Sequence, residues 1–144
     1  TEVDTLSLHD ALPIYLGRQA AARLAEGKFT PQGLANATWG LSRAGGIGPA
    51  GALLSDRQLA CLADNLGPVD VADLLWAAVR VRLRGPNLAL LVARARICVP
   101  DMTWKDLGHV EYALHAGKVG KHTAGDLEGL EASMGKRMAG CWRA

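Results

Sequence analysis

Three stretches decide the fold: LANATWGL at residues 34–41, VADLLWAA at 71–78 and LGHVEYAL at 107–114. They align without gaps and place Trp39, Trp76 and Tyr112 in one column, 37 and 36 residues apart. A period of 20–50 residues is the signature of stacked supersecondary units. Each stretch carries apolar residues at helical spacing. In the first, Leu34, Ala37, Thr38 and Leu41 share a side, with Ala35 and Trp39 beside them. The aromatic column is expected to be buried between units.

Start signals precede these helices. Thr30 suits an N-cap, with Pro31 at the first helical position, where a missing N–H is harmless. Thr103 and Asp106 have capping-box spacing. A second helix is expected after each anchor: from Ser55–Asp56 to about Asn65, from Pro86 to about Cys98, and from Thr123 with Asp126 to about Met138. The Gly/Pro-rich run from Ala44 to Gly51 reads as a loop insertion. Tyr15 to Glu26 reads as the second helix of an earlier unit. The expected fold is all-α, an α-solenoid of helical hairpins with a period of about 36–38 residues, cut at both ends. Its repeat domain covers residues 15–140, in units 30–66, 67–102 and 103–138.

Composition agrees. The chain has 144 residues, 49% of them hydrophobic and 21% charged, enough for a core without staples. One Phe against four Trp, with Ala and Leu dominant, suits helix packing better than a β-sandwich. Apolar runs are broken by Arg or Gly well before 18 residues, so no membrane span is expected. Cys61, Cys98 and Cys141 lie far apart, which argues against a disulfide framework or a zinc module. Cys61 and Cys98 have the flanks of buried helix residues.

Thr5 to Ile14, TLSLHDALPI, resembles a translated sequencing adapter over ten consecutive residues. Residues 1–14 are therefore read as a non-native segment and set aside. That segment holds Glu2, Asp4 and Asp10 and no basic residue, so without it 16 basic face 11 acidic side chains, a net of +5. The excess is concentrated in Arg80, Arg82, Arg84, Arg94 and Arg96, with no acid between them. A clustered basic stripe is the footprint of a polyanionic partner.

TPQGLANATWGLSRAG, a second helix, and VADLLWAAVRVRL together resemble the octotricopeptide repeat, a family related to FAST-kinase-like and RAP-domain proteins. The resemblance covers about residues 30–138 and weakens in the third unit, where Tyr112 replaces Trp and Gly108 and Glu111 interrupt the pattern. It implies an organellar factor, in chloroplast or mitochondrion, that binds RNA in the maturation, stability or translation of transcripts.

The column three residues before each aromatic reads Asn36, Asp73, His109, always polar and always different. Helical repeats that read RNA use two or three side chains per base, so these three are the candidate base readers. Arg43, Arg80, Arg82, Arg84, Arg94 and Arg96 are the candidate phosphate contacts. No P-loop, GxSxG or HExxH is present, and neither enzyme chemistry nor a cofactor is expected. His109 and His115 lie on different helix faces, as surface residues rather than metal ligands, and the pairs Asp70–Asp73 and Glu128–Glu131 lie on ordinary helix faces. The expected partner is single-stranded RNA. The alternative is a protein-binding scaffold of the HEAT or armadillo type, without nucleic acid.

Overall fold

A computed structural model describes residues 8–119 and 124–143; all structural statements refer to these. The chain is all-helical there. Eight α-helices follow in order: α1 (Leu8–Ala25), α2 (Pro31–Arg43), α3 (Ile47–Ser55), α4 (Gln58–Leu62), α5 (Pro68–Arg80), α6 (Pro86–Cys98), α7 (Trp104–Val119) and α8 (Ala124–Arg143). Short 3-10 turns at Ala63–Asn65 and Val99–Asp101 follow α4 and α6.

The helix starts follow local chemistry. The Thr30 hydroxyl accepts from the Gly33 N–H at 3.0 Å, with Pro31 at the first helical position. The Asp70 carboxylate reaches back to the Gly67 N–H, ahead of Pro68. At α7 the capping box is reciprocal: Thr103 N–H donates to Asp106 at 3.0 Å and Asp106 N–H to the Thr103 hydroxyl at 3.3 Å. Pro86 opens α6 after Gly85, whose φ of 95° needs a residue without a Cβ.

One expectation is corrected. The run from Ala44 to Gly51 is a loop only as far as Gly46: α2 ends through Gly45, at φ 86°, and α3 begins two residues later. Pro49 falls in the first turn of α3, where backbone N–H groups have no helical acceptor anyway, so it does not break the helix. Ala50, Leu53 and Leu54 repeat at helical spacing and are buried, and that burial outweighs the glycine content. The second half of this hairpin therefore has two pieces, α3 and α4. Asp56 accepts from the Gln58 N–H at 2.8 Å to restart the helix. Asn87, from α6, donates to the carbonyls of Leu54 and Asp56 at 2.7 and 2.9 Å and fastens the break to the next hairpin.

Contacts run in two series. Helix α2 packs on α5 and α5 on α7, while α1 packs on α3 and α6 on α8. Within hairpins, α2 packs on α3, α5 on α6 and α7 on α8. One continuous core results, from Ala20 and Leu24 of α1 through Leu34, Leu74, Leu75 and Leu91 to Leu130 and Met134 of α8. It is built mainly from Leu, Ala and Val. At Gly17 a Cβ would collide with Pro49, so the α1–α3 contact requires glycine.

Helix α1 runs unbroken from Leu8 across the expected boundary between residues 14 and 15. Its buried face, Gly17, Ala20 and Leu24, lies downstream of that boundary, and Leu12 and Ile14 are about half exposed. Residues 1–7, and the expected helix opening at Thr123, lie outside the described residues, as do the side chains of Asp126, Glu128, Cys141 and Trp142. No helix among the described residues is long and apolar enough to cross a membrane.

Candidate nucleic-acid interface

The aromatic column comes together on one side of α2, α5 and α7. Trp39 and Trp76 lie 4.4 Å apart between ring centroids, and Trp76 and Tyr112 5.7 Å apart, all tilted. His109 packs against Trp39 at 4.7 Å. Contrary to the expected burial between units, Trp39 and Trp76 are only half-buried, and Tyr112 is 44% exposed. The outer ends of these rings form a surface ladder. Their positions follow from the repeat: each sits at the edge of an anchor helix whose neighbouring residues, such as Leu34 and Ala35 or Leu74 and Leu75, are fully buried.

An arginine lies one turn beyond each of the two tryptophans of this column. The Arg43 guanidinium stands over Trp39, 5.7 Å from its centroid, and that of Arg80 over Trp76, at 5.1 Å. Such cation–π contacts orient the guanidinium and leave its N–H edges for an acceptor. The third unit has Ala116 at this position, so the Tyr112 ring carries no equivalent arginine. Trp39, Arg43, Trp76, Arg80 and His109 line a cleft of about 380 Å³.

The three candidate base readers are not equivalent. Asp73 and His109 are bonded to each other across α5 and α7, with Nδ1 3.0 Å from the carboxylate and side chains only 16% and 19% exposed. Burial pushes the Asp73 carboxyl up from its ordinary value, while His109 and Lys105 pull it back. An ionised Asp73 requires the proton on Nδ1, leaving Nε2 as the imidazole nitrogen available to a ligand. His109 is thus a partnered, half-buried residue rather than the surface residue expected, whereas His115 is exposed. Asn36 is exposed and lines a different, mostly apolar hollow with Leu12, Leu16, Ala37 and Gly40.

The arginines also divide. Arg82 and Arg84 are exposed around the turn between α5 and α6, Arg82 at φ 58°. Arg94 donates through Nε to the Leu66 carbonyl at 2.8 Å and is half-buried, so it fastens the α6 side of one hairpin to the end of the previous one. Arg96 is exposed but lies against Gly129 of α8, on the series away from the ladder. The basic run is continuous in sequence and split between two sides in space.

Other candidates have structural surroundings. Asp70 caps α5 and does not pair with Asp73. Cys98 is buried, its Sγ 3.8 Å from the Leu66 carbonyl, and burial raises its thiol. Cys61 is exposed rather than buried. Trp104 is exposed, with Arg137 of the same hairpin 5.9 Å from its ring centroid. Among the described residues no group of His, Cys, Asp and Glu is placed to hold a metal ion.

Sequence reasoning treated Trp39, Trp76 and Tyr112 as core and so missed them as site residues. The signal that could have found the two tryptophans is the repeated Trp-to-Arg spacing of four, in WGLSR and WAAVR, which places an arginine over each indole on a helix face; it does not mark Tyr112. Comparison with protein-family models, with curated protein sequences and with solved structures finds no match for this chain.

Proposed function

We propose that this chain is a single-stranded RNA-binding module, built as an α-solenoid of helical hairpins. The solenoid reading is supported by the two series of contacts, α2–α5–α7 on one side and α1–α3 and α6–α8 on the other, which recur hairpin by hairpin. The RNA reading is carried by one observation: two successive anchor helices, α2 and α5, each present an arginine ordered on a tryptophan, on either side of a shared cleft. Stacked guanidiniums suit phosphate oxygens, because a planar fork held in place makes two parallel hydrogen bonds with little further ordering. The exposed Tyr112 ring offers a face on which a base can stack. The Asp73–His109 pair at the cleft, and Asn36 at the matching position of α2, supply polar edges for sequence preference.

The octotricopeptide resemblance points the same way, to an organellar factor acting on transcripts in chloroplast or mitochondrion, without catalysis of its own. The test is retention of a randomised single-stranded RNA pool at low and moderate salt. The expected result is binding that weakens steeply with salt, with enriched sequences that change when Asn36 or the Asp73–His109 pair is replaced. Absence of retention at low salt would overturn the RNA reading.

A further inference from the structure

We infer that the cleft between α2, α5 and α7 binds a phosphomonoester, the terminal phosphate of an RNA strand. This deepens the RNA reading and rests on it. Arg43 and Arg80 come from different helices yet line one cleft, together with His109. Each guanidinium is held over an indole, at 5.7 and 5.1 Å, so two donor groups are oriented before any ligand arrives, and His109 is fixed beside them by its Nδ1 bond to Asp73 at 3.0 Å. None of the described residues lining the cleft is acidic: Asp73 is bonded to His109, and Lys105 and Asp106 act on Asp73 with opposite sign.

Charge selects the ligand. An internal phosphodiester carries one negative charge and would leave one of two convergent guanidiniums without a counter-charge. A phosphomonoester carries close to two charges at pH 7.5 and offers three terminal oxygens, enough for both forks. The tryptophan walls are apolar and exclude water from one side of those contacts, which strengthens them. The terminal nucleoside would then lie along the ladder toward Tyr112, whose ring has no arginine over it.

The experiment compares one short single-stranded RNA in three forms: 5′-phosphorylated, 3′-phosphorylated, and with hydroxyls at both ends. Binding is measured at pH 7.5 and fixed ionic strength, with inorganic phosphate as a separate probe followed by tryptophan fluorescence. One phosphorylated form should bind about tenfold more tightly than the unphosphorylated strand, and which one tells the polarity of the strand. Arg43→Gln with Arg80→Gln should bring that ratio to about one. Arg57→Gln, which removes one positive charge elsewhere, should leave it unchanged. Equal binding of all three forms by the parent overturns the terminal-phosphate site and leaves the RNA reading standing. Saturable quenching by inorganic phosphate, lost in the double variant, with no RNA binding in any form, upholds the phosphate site and overturns the RNA reading. Silence toward both probes overturns both.

Discussion

Asp73 and His109 stand 36 residues apart, and their contact is the clearest case of chemistry that only the folded chain creates. Each was legible as a polar residue in a polar column, but no local rule pairs them. The pair has a pH signature. Because burial holds Asp73 above its ordinary value, the folded state binds its proton more readily than the unfolded state does. Its stability contribution is therefore full below the unfolded value and is lost as pH rises through the folded one. Asp73→Asn, which keeps an acceptor for His109 without the charge, should melt higher than the parent at pH 7, with that advantage gone at pH 3. A variant less stable than the parent at pH 7 would mean that attraction to His109, not burial, dominates. Thr38 offers a second residue-scale test: it is wholly buried and its hydroxyl has no hydrogen-bond partner. Thr38→Val keeps the shape, removes the unpaired group and should gain about 1 kcal/mol in urea unfolding. A loss of that size would show that the hydroxyl is satisfied.

At the scale of the element, helix starts were legible because capping and proline act within a few residues. Thr30, Pro31, Thr103 with Asp106, and Pro86 all open helices where the sequence places them. Helix α3 was not legible, because its glycines and proline signal a loop and only the burial of Ala50, Leu53 and Leu54 between neighbours reverses that signal. The same helix gives a test. Gly17→Ala would drive a Cβ into Pro49 and should cost about 1–3 kcal/mol. Removing residues 1–14, by contrast, should shift the thermal midpoint by no more than about 4 °C, since the buried face of α1 lies at Gly17, Ala20 and Leu24. A larger drop on truncation would show that this segment packs on the rest of the chain and would weaken the adapter reading.

Across the whole molecule, the repeat period gave the all-helical class, while the side occupied by each residue emerged only in three dimensions. The aromatic column, read as core, is a half-exposed ladder, because each ring sits at the edge of its helix beside smaller residues that fill the interior. The basic run from Arg80 to Arg96 is divided by the turn between α5 and α6, which sends Arg94 and Arg96 to the opposite series of helices. Arg43, outside that run, instead joins Arg80 at the cleft. Affinity for RNA should therefore follow the ladder arginines rather than the number of arginines in the sequence.

The most direct test is the salt dependence of binding to a single-stranded RNA, measured for the parent, for Arg43→Gln with Arg80→Gln, and for Arg94→Gln with Arg96→Gln. Each phosphate contact contributes about 0.7 to the slope of log affinity against log salt for a single strand. With both forks on one terminal phosphate, the ladder pair should lower that slope by about 0.7 and weaken binding to all sequences, while the Arg94 and Arg96 pair should leave it nearly unchanged. Equal losses from the two double variants, or a parent whose affinity does not change with salt, would contradict an interface built on the ladder.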